Sequence, residues 1–404
     1  MTKMKKLLAL LLALVMVLSL TACSGSGNEE PAQTEAKTEE AAKTDAAVET
    51  LKIGVVTHQT GANVVLGNRQ IYACELAKET INANGGVNGA QLEIVYFDCG
   101  DTQQDCINAV QLACNTEGIS GIVNSFFSQN CIACSDTVAA AKIPTINLGN
   151  SSALQQVCTE NPYYWNLRLT DAIANGSTVD AAVAGGITYP TIIYMTNSSG
   201  QTQNAAILKR YEELGHEICA DIAFDNTATI DYQSLVTQAM NSGSDGIILI
   251  VNAEEAPGFI SLLKQQNYQN PIAISPAGFS ADVVDVIGDQ VDGVFGACEF
   301  NADSEREQTK NYVTAYAEQT GGEMTAAWQD AVTYDSISLL CEAAKLSGSN
   351  DAESINAGLA KIQNFEGALC ALNYHEDKTF ASQMYNCAYV GSKIVCGDPF
   401  DPRA

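Results

Sequence analysis

Positive charge is scarce in this chain. Twenty Lys and Arg stand against 47 Asp and Glu, a formal net charge of −27. Such a surface repels phosphate backbones and anionic headgroups, so it disfavours nucleic acid and direct adhesion to lipid. Histidine is scarcer still: His58, His216 and His375 are scattered along the chain and pair with no second ligand set for zinc. No Gly-x-Ser-x-Gly elbow, Walker loop or His-Glu-x-x-His helix occurs, so the common hydrolase, nucleotide-binding and metalloprotease readings lapse. No apolar run reaches the roughly 20 residues of a membrane-spanning helix. Neither a cofactor nor a metal is expected, nor enzymatic activity.

What is present at the start is a short export signal. Lys3, Lys5 and Lys6 precede the apolar stretch Leu7 to Leu20, and Leu20-Thr21-Ala22-Cys23 follows. The pattern resembles a bacterial lipoprotein signal with its lipobox, which implies cleavage before Cys23 and acylation of its thiol. Loss of the signal lysines leaves a mature chain near −30. Residues 24–50 are rich in Ala, Glu, Thr and Lys and hold no aromatic residue. They bury too little apolar surface to offset ordering entropy and read as a flexible tether.

Thirteen cysteines remain beyond Cys23, an odd number that cannot all pair within the chain. Cys74, Cys114 and Cys341 sit in helical patterns as small apolar residues. Mostly free buried thiols are expected, with Cys99–Cys131 and Cys370–Cys387 the first pairs to consider for bridging. Cys131-Ile132-Ala133-Cys134 has redox spacing but no thioredoxin-like context, and reads as packing at a helix start.

After Leu51, short β-branched runs alternate with amphipathic segments. Strands are expected at 52–56, 92–97, 121–123 and 144–147, with helices over 68–84, 102–116 and 130–141 between them. The rhythm restarts at 189–195 and continues through strands at 218–224, 246–251 and 271–275. Strands separated by helices imply parallel pairing through right-handed crossovers, hence an α/β fold of two open units in tandem. Long helices at 307–320 and 333–347 follow. Residues 368–373 and 384–390 read as an antiparallel pair around a turn at 375–378.

Ligands of open α/β sheets bind beyond the carboxyl ends of the strands, where helix N-termini offer backbone donors. Six loops occupy those positions: 57–63, 124–130, 149–152, 196–201, 252–255 and 276–279. They hold Asn, Ser, Thr and Gln in quantity, and neither Lys nor Arg. Capping accounts for part of that enrichment. As two facing walls they suit a small polar or zwitterionic ligand and argue against a phosphorylated one. His58, Gln129, Asn197, Asn252, Glu254 and Phe279 are the candidate contacts from these loops.

The run Ile81-Asn82-Ala83-Asn84-Gly85-Gly86-Val87-Asn88-Gly89 after the first helix resembles the leucine-isoleucine-valine-binding family. These are type I periplasmic binding proteins of ABC importers. Further matches are Lys52 to Val56, Thr60-Gly61, Gly67, Asp98, Pro144, Asn161-Pro162-Tyr163, Arg168, Gly288-Asp289, Asp292-Gly293, Tyr334-Asp335 and Phe365-Glu366-Gly367. The resemblance spans about 51–392.

It implies a two-lobed fold, each lobe a mostly parallel sheet flanked by helices, with three hinge crossovers. Lobe one takes 51–168 and 298–372, and lobe two 169–297 and 373–404. By the same resemblance Ser128 and Ser151, with Asn150 beside them, hold a ligand carboxylate. The family's aromatic residues and ammonium-binding acid are not matched: Gly200, Asn252 or Ala253, and Ala277 stand near those places. Glu254, Glu255 or Asp330 are the substitutes, and Trp328 supplies an apolar wall. The expected function is capture of a branched-chain or other amino acid, or a related amide, by a monomer outside the cytoplasm. The anchor is its one membrane contact, and permease subunits receive the ligand. The alternative is a ligand-sensing receptor module of the same fold acting without transport.

Overall fold

The computed structural model describes residues 50–322 and 324–403. The expected signal (1–22), Cys23 and the tether up to residue 49 lie outside the described residues.

The first sheet opens with β1 (Thr50–Thr57), in which Leu51, Ile53, Val55 and Val56 are all buried. Burial on both faces is what an interior parallel strand requires. There follow α1 (Val64–Ala83), β2 (Gln91–Asp98), α2 (Gln103–Asn115), β3 (Ile119–Val123), α3 (Ser128–Ala141), β4 (Thr145–Asn147), α4 (Ser152–Glu160) and β5 (Tyr164–Asn166). The five strands pair in parallel in the order β2-β1-β3-β4-β5.

The chain then crosses to α5 (Asp171–Ala184), β6 (Pro190–Met195), α6 (Ser198–Glu213), β7 (Ala220–Phe224), α7 (Tyr232–Met240), β8 (Gly246–Ile250), α8 (Ala256–Gln265), β9 (Ile272–Ile274), α9 (Ala281–Ile287) and β10 (Val294–Cys298). It returns to the first sheet for α10 (Glu307–Gln319), α11 (Trp328–Ser347) and α12 (Ala352–Leu359). A small ribbon, β11 (Phe365–Glu366) with β12 (Ala371–Leu372), follows them. Finally β13 (Met384–Tyr389) and β14 (Ile394–Phe400) join the second sheet, whose order is β14-β13-β10-β9-β8-β6-β7. It is parallel from β10 to β7 and antiparallel at β13 and β14. The result is the two-lobed type I fold, with one apolar cluster on each face of each sheet.

Residues 368–373 and 384–390 do not pair with each other. Ala371 and Leu372 pair with Phe365 and Glu366, whereas 384–389 lies between β10 and β14. The segment between them forms its expected turn, Lys378 N to His375 O at 2.8 Å, but runs beside β5 as the third passage between lobes. Leu167 O accepts from Ala381 N at 2.7 Å, so the first and third passages are hydrogen-bonded side by side.

The bridging expectation is corrected as well. Cys99 pairs with Cys106, and Cys387 with Cys396, each with Cα atoms 4.1 Å apart. Cys131 instead donates to Ser125 O at 3.1 Å, and Cys370 is buried and free. Each real bridge joins residues brought together locally, across the loop before α2 or across the β13–β14 pair. Cys131 and Cys134 are buried on α3, where desolvation raises their thiols and keeps them protonated, as packing residues should be. Among the described residues no helix is long and apolar enough to cross a membrane.

Candidate functional site

Parallel strands of the first lobe end in loops that start α1, α3 and α4. At Gly67 a Cβ atom would stand 1.8 Å from the carbonyl oxygen of His58, so glycine lets α1 press onto the loop after β1. His58 is thereby buried. Its Nδ1 lies 2.7 Å from Gly100 O, its ring edge meets Phe127 at 5.1 Å, and its Nε2 has no partner among the described residues.

Ser128 and Ser151 meet at the starts of α3 and α4. The Ser128 hydroxyl accepts from Ser151 N at 3.1 Å, and the Ser151 hydroxyl caps α4 by accepting from Leu154 N at 3.1 Å. Gly149 makes that approach possible, since a Cβ there would lie 2.6 Å from the Ser128 hydroxyl. Two helix N-termini therefore converge at the carboxyl ends of β3 and β4, an arrangement that attracts a carboxylate. Asn150 lies between them and spends its carbonyl on Asp171 N at 2.8 Å. Gln129 points to solvent on α3, its carbonyl taking a bond from Gln103.

Asp171 is the residue that the sequence reading missed. It is the first residue of α5, directly after the first passage between lobes, and is fully buried. Neither carboxylate oxygen has a hydrogen-bond partner among the described residues. Burial pushes its pKa up to about 8, against a lowering by its own backbone N–H and by Arg168, while Glu299 adds to the rise. The available signal was one acid three residues past Arg168, opening a stretch, 171–178, otherwise made of Ala, Ile, Asn, Gly, Ser and Thr.

Trp328 opens α11 and contacts Phe126 edge-on at 5.7 Å. The Arg168 guanidinium stacks 4.1 Å above the Trp328 ring and is held by a bidentate pair with Glu299, Nε–Oε2 2.9 Å and Nη2–Oε1 2.6 Å. Arg168 lies on the first passage and Glu299 on the second, and both are buried. Asp330 is occupied differently from its expected role. It accepts from Arg69 Nη1 at 2.7 Å and from Ala327 N at 2.8 Å, so its charge is already matched within the first lobe.

The second lobe contributes a polar network at the ends of β6, β7 and β8. Asn197 caps α6 through Gly200 N at 2.8 Å and reaches Asn226 at 3.2 Å. Buried Glu255 accepts from Asn226 at 3.0 Å and from Asn252 N at 2.9 Å. Its neighbour Glu254 keeps solvent access, yet crowding protein desolvates its carboxyl and raises it above the ordinary range. Phe279 is packed against Tyr389 with ring centroids 4.4 Å apart. It also borders, with Trp328, Phe300 and Cys298, a cavity of about 320 Å³ between the lobes. The lobes touch where Arg69 meets Asp282 and where α3 lies against α6.

Comparison with known proteins agrees with this architecture. The family described as "Periplasmic binding protein" matches residues 50–392. The Leu/Ile/Val-binding protein homolog 7 of Brucella abortus is 25% identical over 347 residues, covering 80% of this chain and 84% of the relative. LivJ of Streptococcus pneumoniae, solved with isoleucine, superposes with a TM-score of 0.77 at 22% identity, covering 88% of this chain and 100% of LivJ. A solute-binding protein of Rhodopseudomonas palustris, solved with 3,4-dihydroxybenzoic acid, gives 0.77 at 19% identity, covering 87% and 98%. These relatives are solute-binding proteins rather than enzymes, and the family works outside the cytoplasm. The chain belongs to the periplasmic binding protein family.

Proposed function

We propose that this protein captures a small zwitterionic solute, an amino acid or a close relative, between its lobes and delivers it to the permease of an ABC importer. The observation that carries the reading is the bond from Asp171 N to Asn150 O. It sets a buried, unpartnered carboxylate beside the loop where Ser128 and Ser151 converge. A carboxylate on the two helix N-termini and an ammonium on Asp171 match the charge pattern of an α-amino acid. A buried acid without a partner is costly, and a ligand cation offsets that cost. His58 Nε2 and Trp328 Nε1, also buried without partners among the described residues, add donor or acceptor capacity nearby. Phe126 and Trp328 form an apolar wall suited to an aliphatic or aromatic side chain.

In this reading residues 51–168 with 298–372 close onto 169–297 with 373–404 about the three passages. The protein acts as a monomer tethered through acylated Cys23. Titration calorimetry and thermal shift of the mature chain against amino acids, their amides and benzoates test the proposal. Binding of amino acids, with neither amides nor benzoates competing, supports the zwitterion. Tight binding of a benzoate alone, or of no small solute, refutes it.

A further inference from the structure

Three cysteine sulfurs converge at one end of the second sheet. Cys298 ends β10, Cys387 lies on β13 and Cys396 on β14. Register brings them together: Cys387 faces Cys396 directly, and Cys298 sits two residues along from the partner of Cys387. The Cys298 sulfur lies 2.9 Å from that of Cys387 and 3.8 Å from that of Cys396, and all three fall within 4.8 Å of one another. The structure joins Cys387 to Cys396 and leaves Cys298 a free thiol. The ligand reading above uses none of the three.

We propose that, once the Cys387–Cys396 bridge is reduced, these three sulfurs bind one thiophilic cation of the Zn²⁺, Cd²⁺ or Cu⁺ class. A dithiol reductant opens the bridge by forming its own cyclic disulfide. The S–S bond of Cys387–Cys396 breaks, and the two protons of the dithiol pass to the released sulfurs. The entering cation then displaces a proton from each sulfur it coordinates, and the protons go to solvent. A trigonal site with metal–sulfur bonds of about 2.3 Å needs sulfurs about 4 Å apart. Cys298 and Cys396 already stand at that spacing, and Cys387, once released from the bridge, is the sulfur that has to move outward. Three soft thiolates without imidazole or carboxylate select against Mg²⁺ and Ca²⁺.

Access is provided as well. Cys298 and Ile394 border the cavity between the lobes, which gives a cation a path and leaves room for a water as a fourth ligand. Cys298 also donates to Phe300 O at 3.1 Å, a contact that orients its sulfur.

The test is an anaerobic Cd²⁺ titration of the reduced, desalted full-length protein, read by sulfur-to-metal charge transfer in the ultraviolet under chelator competition. Circular dichroism follows the fold in parallel. One tight equivalent is expected. Cys298→Ser should weaken it at least tenfold, Cys341→Ser, buried in the first lobe, should leave it unchanged, and the oxidised protein should lack it. Retention of the tight equivalent in Cys298→Ser overturns the proposal. So does its absence in the reduced wild type, or loss of the fold on reduction.

Discussion

Arg69 on α1 places Nη2 2.5 Å from Oδ1 of Asp282 on α9, one charged bond from the first lobe to the second. The same guanidinium holds Asp330 within its own lobe at 2.7 Å. The two carboxylates differ in setting: Asp330 is fully buried, whereas the Asp282 side chain is 38% exposed. That difference separates a closure contact from a folding contact.

Asp282→Asn should therefore leave stability within about 1 kcal/mol, because the Asp282 carboxylate keeps solvent access. It should loosen apposition of the lobes, read as a larger radius of gyration in solution scattering of the ligand-bound protein. Arg69→Met should cost about 3–5 kcal/mol in urea unfolding, because it strands buried Asp330. Equal effects of the two variants would remove the distinction.

Ser128→Ala and Ser151→Ala should each weaken amino-acid binding by about 1–3 kcal/mol in calorimetry if they satisfy the ligand carboxylate. They should differ in stability. Ser151→Ala also loses the cap of α4, worth about 1 kcal/mol, whereas Ser128→Ala keeps that cap. Wild-type affinity in both variants would move the carboxylate elsewhere.

Asp171 makes both stability and binding depend on pH. Its folded pKa is raised to about 8 from an ordinary carboxylate value. The favourable contribution of its neutral form is thus complete below about pH 4 and is lost as pH rises towards 8. Asp171→Asn should flatten that loss, so the ligand-free variant should melt higher than wild type at pH 8, with the gap closing at pH 4. An ammonium ligand reverses the sign: it stabilises the ionised form, so wild-type affinity should climb up to about tenfold per unit between pH 6 and 8, with proton release. Arg168 and Glu299 are the charged groups acting on Asp171, and Glu299→Gln is the control for their share. Affinity independent of pH would take Asp171 out of the site.

Gly67→Ala should be severe, about 2–5 kcal/mol, because its Cβ would meet the backbone carbonyl of His58 rather than a mobile side chain. Gly85→Ala gives a contrast. It meets nothing within 4 Å, and its penalty comes from a φ of +92°. Urea unfolding of the two separates close approach from backbone conformation.

The parallel strands were readable because their cores are apolar runs rich in β-branched residues, as at Ile247 to Val251. What escaped was structure whose signal lies outside such runs. The sequence Asp171-Ala172-Ile173-Ala174-Asn175-Gly176-Ser177 lacks large apolar periodicity, yet forms α5, because small residues let that helix pack tightly on α6 and β10. β14 mixes Gly397, Asp398 and Pro399 into an edge strand, where an unpaired side tolerates them. The candidate site divides the same way. Ser128 and Ser151 were reached through the family resemblance, in loops after strands three and four, whereas Asp171 gains its meaning from burial without a partner, which no local pattern encodes. Asp330 was readable as an acid near the cleft, but its neutralisation by a residue 261 positions away was not.

The first apolar cluster unites Leu51 and Val55 with Leu339, Leu369 and Phe380. Almost the whole chain must therefore emerge during synthesis before that core can close. An early fragment ending near β5 exposes the surface that α11 later covers, and holds only part of its stabilising contacts. Completion of that one core is thus postponed until the last few dozen residues arrive, although the cluster built from Val56 to Tyr164 needs none of them.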